Sequence, residues 1–271
     1  MKRILLISDI HYCQDEYGGI SRDEKIERLI AQINAENKKC PIEMILFLGD
    51  YSLDHWEWNT KGTWLMHGKS YTKELVDRYF SKLDIPYYLI AGNHEQYGEE
   101  NWKRITGFSR NIEVELDDCL FVLWDSYGDE LDPDYHSDGR YTAPNVERIR
   151  EIMDSHKSKR VFLCSHHFAP NGTKEEAELV RDERVVCLFR GHTHSSKIIT
   201  LPEEYGSKLL LQTGSWAGIN NESSERWGVR ELCIYEDRVT SAYIVERHDL
   251  VHEGKSYSFE AEIRDTAEIK L

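Results

Sequence analysis

Val185-Val186-Cys187-Leu188-Phe189 runs without a break into Arg190-Gly191-His192-Thr193-His194-Ser195. Five apolar residues in a row, β-branched and aromatic among them, read as a strand buried on both faces. A glycine then opens a short turn in which His192 and His194, two apart, point their rings to one side, as alternate residues of an extended chain do. Neutral imidazole is the commonest metal ligand. Taken alone, the pair reads equally as a metal site or as a hydrogen-bonded turn.

Four more apolar runs end in the same kind of residue. Ile4-Leu5-Leu6-Ile7-Ser8 leads to Asp9-Ile10-His11, and Met44-Ile45-Leu46-Phe47-Leu48 leads to Gly49-Asp50. Tyr87-Tyr88-Leu89-Ile90-Ala91 leads to Gly92-Asn93-His94-Glu95, and Val161-Phe162-Leu163-Cys164-Ser165 leads to His166-His167. In open α/β sheets ligands gather outside the carboxyl ends of the strands. Five successive ends of metal-ligand type predict an α/β fold with a metal site at that edge.

In order and spacing, Asp9-x-His11, Gly49-Asp50, Gly92-Asn93-His94-Glu95, His166 and Gly191-His192-x-His194 resemble the five motifs of the calcineurin-like metallophosphoesterase superfamily. The resemblance runs from Arg3 to about Trp216 and includes a Thr213-Gly214-Ser215 turn like the one that often closes that family's core. It implies a four-layer α/β/β/α sandwich of two mixed sheets flanked by helices. It also implies two divalent or trivalent metal ions, of Mn, Fe, Zn or Co. Carried over by position, Asp9, His11 and His194 would hold one ion, and Asn93, His166 and His192 the other. Asp50 would bridge them, having two oxygens to face two ions. His94 would face the substrate as proton donor or charge stabiliser; the plainer reading of an unligated histidine there is a prop. His167 is the weaker ligand candidate of its pair, and Phe168 stands where many relatives have proline. Two divalent ions less the charges of Asp9 and Asp50 leave about +2 in the pocket, suited to a bridging hydroxide and an anionic phosphoryl group.

The implied activity is metal-dependent hydrolysis of a small phosphorylated substrate, as a phosphodiesterase or a phosphomonoesterase. Glu95 gives the Asn-His-Glu of the Ser/Thr protein phosphatases. The residues after Asp50, Tyr51-Ser52-Leu53-Asp54-His55, lack the arginine with which those enzymes grip phosphate. A nuclease of the same superfamily would want a basic track for the backbone. A noncatalytic scaffold of the same fold is the other alternative, and such proteins usually lose ligands.

Lys and Arg number 34 against 49 Asp and Glu, a net charge of −15, which argues against nonspecific binding to nucleic acid or a membrane surface. No apolar run approaches the roughly 20 residues of a membrane-spanning helix. Six scattered cysteines without a Cys-x-x-Cys pair predict reduced thiols and a cytoplasmic protein, with Cys13 an ordinary loop thiol. The length suits one domain over 1–271, with an aromatic-rich insertion at about 51–70 and a C-terminal extension from about 248.

Ser21-Arg22-Asp23-Glu24 is a capping box for a helix that turns Ile26, Leu29, Ile30 and Ile33 inward, making the strands on either side parallel. Between Tyr51 and Gly68 no period is visible, and Trp56, Trp58, Trp64, His55 and His67 crowd together. Two readings stand: a cap over the metals, or a surface loop packed on the body or on a second copy in a homo-oligomer. Helices are predicted at 71–83, 99–105, 144–156 and 175–181. An antiparallel pair is predicted at 112–116 and 120–124, with Asp125-Ser126 structural and 127–138 a loop near the cleft. Runs 197–201, 208–212, 229–235 and 239–246 predict a second sheet. The tail is either an added strand or a loose end.

Overall fold

The computed structural model describes residues 1–271 apart from 14–20, 59–60, 129–130, 132–133, 171, 217–226, 246–247, 253–254 and 260. Its first elements are β1 (Lys2–Ile7), α1 (Arg22–Lys39), β2 (Met44–Phe47), β3 (Trp56–Trp58), β4 (Trp64–Met66), α2 (Tyr71–Arg78), β5 (Tyr87–Leu89) and α3 (Glu99–Thr106). Next come β6 (Ile112–Leu116), β7 (Cys119–Leu123), α4 (Val146–Ser155), β8 (Arg160–Cys164), α5 (Lys174–Arg181) and β9 (Val185–Arg190). The remainder supplies β10 (Lys197–Thr200), β11 (Leu209–Gln212), β12 (Gly228–Ile234), β13 (Arg238–Val245), β14 (His248–His252), β15 (Lys255–Phe259) and β16 (Glu262–Lys270).

Two six-stranded sheets result, in the orders β16-β13-β12-β1-β2-β5 and β10-β11-β9-β8-β7-β6. β1, β2 and β5 are parallel, as are β7, β8, β9 and β11, while the outer strands pair antiparallel. The strand period of two divides the core into layers. Along β1, Ile4 and Leu6 face the other sheet, packing with Phe121, Phe162 and Phe189 in the central layer. Leu5 and Ile7 face Ile26, Leu29 and Ile33 of α1. On the far side Leu120, Val122 and Leu163 meet Ile149 and Met153 of α4 and Leu179 of α5. The molecule is therefore the four-layer α/β/β/α sandwich. Truncating a ring in its middle layer, such as Phe162 stacked on Phe121 at 4.7 Å, would cost about 3–5 kcal/mol.

Several expectations need adjusting. The four late strands do not form a sheet of their own: β10 and β11 extend one sheet, while β12 and β13 extend the other. β11 joins β9 in parallel whereas β12 joins β1 antiparallel, and alternation alone reveals neither the partner nor the direction. The loop after Asp50 is not periodless, since β3 and β4 form a small antiparallel hairpin. Pro144 lies outside its helix, whose N-cap is Asn145, with its side chain accepting from the Arg148 amide. The helix at 71 stops at Arg78, and a 3-10 turn at Phe80–Lys82 follows. Ser21 does cap α1, accepting from the Glu24 amide. The tail supplies β16 at a sheet edge and the β14–β15 hairpin. The six cysteines form no disulfide, and among the described residues no helix is long and apolar enough to cross a membrane.

Candidate metal centre

The strand ends converge because neighbouring loops run side by side. The Asp9 amide donates to the Gly49 carbonyl at 3.0 Å and the His11 amide to the Asp50 carbonyl at 3.0 Å, so the loops after β1 and β2 are stitched together. In the other sheet the Gly191 amide donates to the His166 carbonyl at 2.9 Å. Asp9 links the two sheets, its Oδ2 accepting from the His192 amide at 3.0 Å. Two glycines permit this approach. A Cβ at Gly92 would collide with Asp50, and one at Gly191 would collide with Ser8. The Thr213-Gly214-Ser215 turn closes behind, with Ser215 Oγ donating to the Asp9 carbonyl at 2.9 Å.

Asp9, His11, Asp50, His192 and His194 all have positive φ, between 48° and 69°. Such a conformation costs a non-glycine residue roughly 1–3 kcal/mol and persists only where its surroundings enforce it. Five cases on one rim mark a place where stability is given up for geometry.

The ligand atoms form two groups. Asp9, His11, Asp50 and His194 offer atoms within 4.8 Å of one another, and so do Asp50, His166 and His192, with Asp50 common to both. Asn93 joins the second group, its Oδ1 lying 3.0 Å from His166 Nε2 and 3.0 Å from His192 Nδ1. All seven residues expected from sequence are thus together, whereas His167 belongs to neither group. Its amide donates to Ser126 Oγ, and its ring packs edge-on against Tyr141 at 5.1 Å and His192 at 4.6 Å.

The residues fit a cation. His166 Nδ1 lies 2.6 Å from the Leu48 carbonyl, so in the neutral ring that nitrogen carries the proton. In that form Nε2 is turned to Asn93 Oδ1 at 3.0 Å and Asp50 Oδ2 at 3.2 Å, a convergence of donor atoms that a cation would satisfy. Likewise His11 Nε2 and His194 Nε2 are 3.0 Å apart and can share at most one proton. Ligands about 2.1 Å from one ion and at right angles to each other lie about 3.0 Å apart. Asp9 Oδ1 is buried and lies 3.2 Å from His194 Nε2, within the same group.

Electrostatics agree with the geometry. Burial opposes ionisation of Asp50, but His166 and His94 beside it outweigh burial and hold the carboxyl well below its usual range. Asp9 is likewise lowered, burial being overcome chiefly by His194. Burial resists charge on His166, yet Asp50 pushes its pKa up to about 9. Burial and neighbouring imidazoles hold His192 down to about 4 and His11 well below normal. The two carboxylates draw positive charge into the pocket, as a proton on His166 or a bound cation, and burial leaves His11 and His192 as neutral nitrogen donors.

Four supports were not evident in the sequence. The Glu95 carboxylate accepts the amides of Gly92, Asp50, Tyr51 and Ser52 at 2.8–3.3 Å and so fixes the Asp50 turn. Burial, with Asp50 and Asp54 nearby, pushes Glu95 up to about 8. Buried Lys25 donates to the His11 carbonyl at 2.7 Å. Tyr127 places its hydroxyl 3.2 Å from His192 Nε2. The only signal for Tyr127 was its position just past the strand-end Asp125-Ser126. The fourth, Trp56, is 3% exposed and donates to Gln96, which itself donates to the Asn93 carbonyl. This tryptophan packs on the body; the side chains of Trp58 and Trp64 lie outside the described residues.

His94 occupies the rim, its side chain 15% exposed and its Nε2 3.6 Å from Asp50 Oδ2. Its amide donates to Asp50 Oδ1 at 3.2 Å, a second role beside any chemistry of the ring. Asp125 proves structural, receiving Arg110 Nε at 2.7 Å. Cys13 donates to the His11 carbonyl, as suits a loop thiol.

No curated protein matches the sequence. Among solved structures, a dimetal phosphatase from Danio rerio is 16% identical with a TM-score of 0.63, covering 89% of this chain and 95% of its own. A purple acid phosphatase from yellow lupin (Lupinus luteus) seeds is 11% identical with a TM-score of 0.63, covering 99% of this chain and 53% of its own. At such identities the likeness concerns the fold. The family model described as calcineurin-like phosphoesterase matches residues 2–196, the span that carries every residue of both ligand groups. With that match over most of its length, the chain belongs to the calcineurin-like metallophosphoesterase superfamily.

Proposed function

We propose that this chain hydrolyses small phosphoesters at a dinuclear metal centre. Asp9, His11 and His194 would hold one ion and Asn93, His166 and His192 the other, with Asp50 available to both. The observation that carries the reading is the convergence of two ligand groups that share Asp50, the candidate atoms of each lying within 4.8 Å of one another. Mixed nitrogen and oxygen donors suit Mn, Fe, Zn or Co. Bound there, such ions would make water nucleophilic near neutral pH and neutralise a phosphoryl group.

The protein's own part is positioning and proton transfer. Glu95 and the His94 amide fix Asp50, and Lys25 fixes the His11 loop. The ring of His94 protonates the leaving oxygen from the rim. Tyr127 hydrogen-bonds the His192 ring and closes the second group from the side. No arginine follows Asp50, which favours small esters over phosphoprotein. We read 1–271 as one catalytic unit whose insertion at 51–70 braces the Asn93 loop through Trp56 of β3 and Gln96.

Metal analysis of purified protein, coupled to a panel of chromogenic mono- and diesters, tests this. The expected result is two ions per chain and hydrolysis that a chelator removes and added metal restores. A fully metal-loaded protein that cleaves no ester would be a scaffold and would overturn the proposal.

A further inference from the structure

The loop that bears His194 is held from an unexpected direction. Asp265 lies on β16, the last strand of the chain, in the sheet opposite the one that carries His194. Its carboxylate grips Arg230 of β12 with both oxygens, at 2.8 Å to Nη1 and 3.0 Å to Nη2. The Arg230 side chain is fully buried. Its Nη2 also donates to Ser196 Oγ at 2.7 Å and to the Gln212 carbonyl at 2.8 Å. Ser196 Oγ donates in turn to Asp265. Ser196 is two residues past His194, so this knot ends the ligand loop.

Gln212 extends the same chain of bonds. Its Nε2 donates to the carbonyl and the hydroxyl of Ser195, both at 2.7 Å. Its Oε1 accepts from Arg190 Nε at 3.0 Å and Nη2 at 2.7 Å, and Arg190 reaches on to the Phe168 carbonyl. Bidentate arginine–carboxylate pairs are among the stronger and most directional contacts in proteins. His194 has φ 55°, a conformation that needs outside support. His192, four residues before Ser196, has a closer anchor, since its amide donates to Asp9 Oδ2.

We propose that Asp265 is a positioning residue for the metal centre. Through Arg230 and Ser196 it fixes the loop that presents His194, so the C-terminal strand sets the affinity for the ion at Asp9, His11 and His194. The inference rests on the dinuclear reading above and adds to it a control by residues 262–270 that lie beyond the ligand-bearing span.

The test is calorimetric titration of Mn2+ into metal-free full-length protein, with the melting temperature recorded for each variant. His194→Ala first identifies which binding step belongs to that site. Asp265→Asn is then expected to weaken that step by about tenfold or more, as loss of support behind a ligand does, and to leave the other step nearly unchanged. Because Asp265→Asn strands a buried arginine, the double change Arg230→Met with Asp265→Leu serves as the second variant. Apolar replacement of a buried ion pair is often neutral for folding. The double variant should melt near the wild type and show the same selective loss. Unchanged affinities in the folded double variant would overturn the proposal, as would equal weakening of both steps with a lowered melting temperature. Wild-type protein that takes up no ion overturns the dinuclear reading as well; two ions in wild type with insensitive variants overturn only the role of Asp265.

Discussion

Asp50 and His194 share a backbone angle, φ 55°, and belong to the same ligand group, yet their loops are held by different parts of the molecule. Around Asp50 the supports are local. Glu95, from the neighbouring parallel strand's loop, collects four amides, and the adjacent His94 amide bonds the Asp50 carboxylate. Around His194 the supports come from β11, β12 and β16, and so from both sheets. The first loop is complete once β2 and β5 have paired. The second waits for the end of the chain. A centre shared between two such loops should have one robust half and one that depends on the assembly of the sandwich.

The largest effect should come from Asp50, where the two halves meet. Asp50→Ala is expected to lose both ions and reduce hydrolysis to background, as metal analysis and ester turnover will show; retention of full activity would end the dinuclear assignment. Next comes His94→Ala, which should keep both ions yet lose about 10²–10⁴ in rate if the ring acts as general acid. Substrates with very good leaving groups should escape most of that loss. An equal deficit for all leaving groups would assign His94 to charge stabilisation instead.

Glu95→Gln sharpens the contrast between the loops. An amide side chain cannot accept from all four backbone donors, and a buried donor left unpaired costs about 1–3 kcal/mol. The urea midpoint should fall and both ions should bind more weakly, because Asp50 serves both, whereas the Asp265 variants should affect one. Smallest is Tyr127→Phe. Removal of one hydrogen bond to His192, of about 0.5–1.5 kcal/mol, should lower turnover or metal affinity a few-fold and move the melting temperature by no more than a few degrees. A larger loss would show that the hydroxyl meets the substrate.

The same contrast explains what was legible in the sequence. Ligands at strand ends announce themselves because a buried strand is an unbroken apolar run and the residue after it must leave the sheet; the choice of the seven among the residues there came from the family resemblance. The four layers were an implication of the family resemblance, since strands apolar on both faces do not show which face meets which layer. The ownership of the late strands was not legible, because Val229–Tyr235 and the short apolar run Lys208–Gln212 carry no mark of their partners, β1 and β9. Supports spanning long separations were invisible for the same reason. Asp265 stands 69 residues from Ser196, and no local pattern joins them. Glu95 was nearer to view, two residues past Asn93, but three of its four amide bonds depend on a parallel neighbour forty-odd positions away.

The central claim is that one carboxylate, Asp50, joins two ion sites. Electron paramagnetic resonance of the protein loaded with Mn2+ addresses it most directly, because ions that share a bridging ligand couple magnetically. The account predicts two ions per chain with a spin-coupled spectrum, which collapses in Asp50→Ala. Two uncoupled ions, or a single ion whose spectrum is the same in wild type and Asp50→Ala, would contradict it.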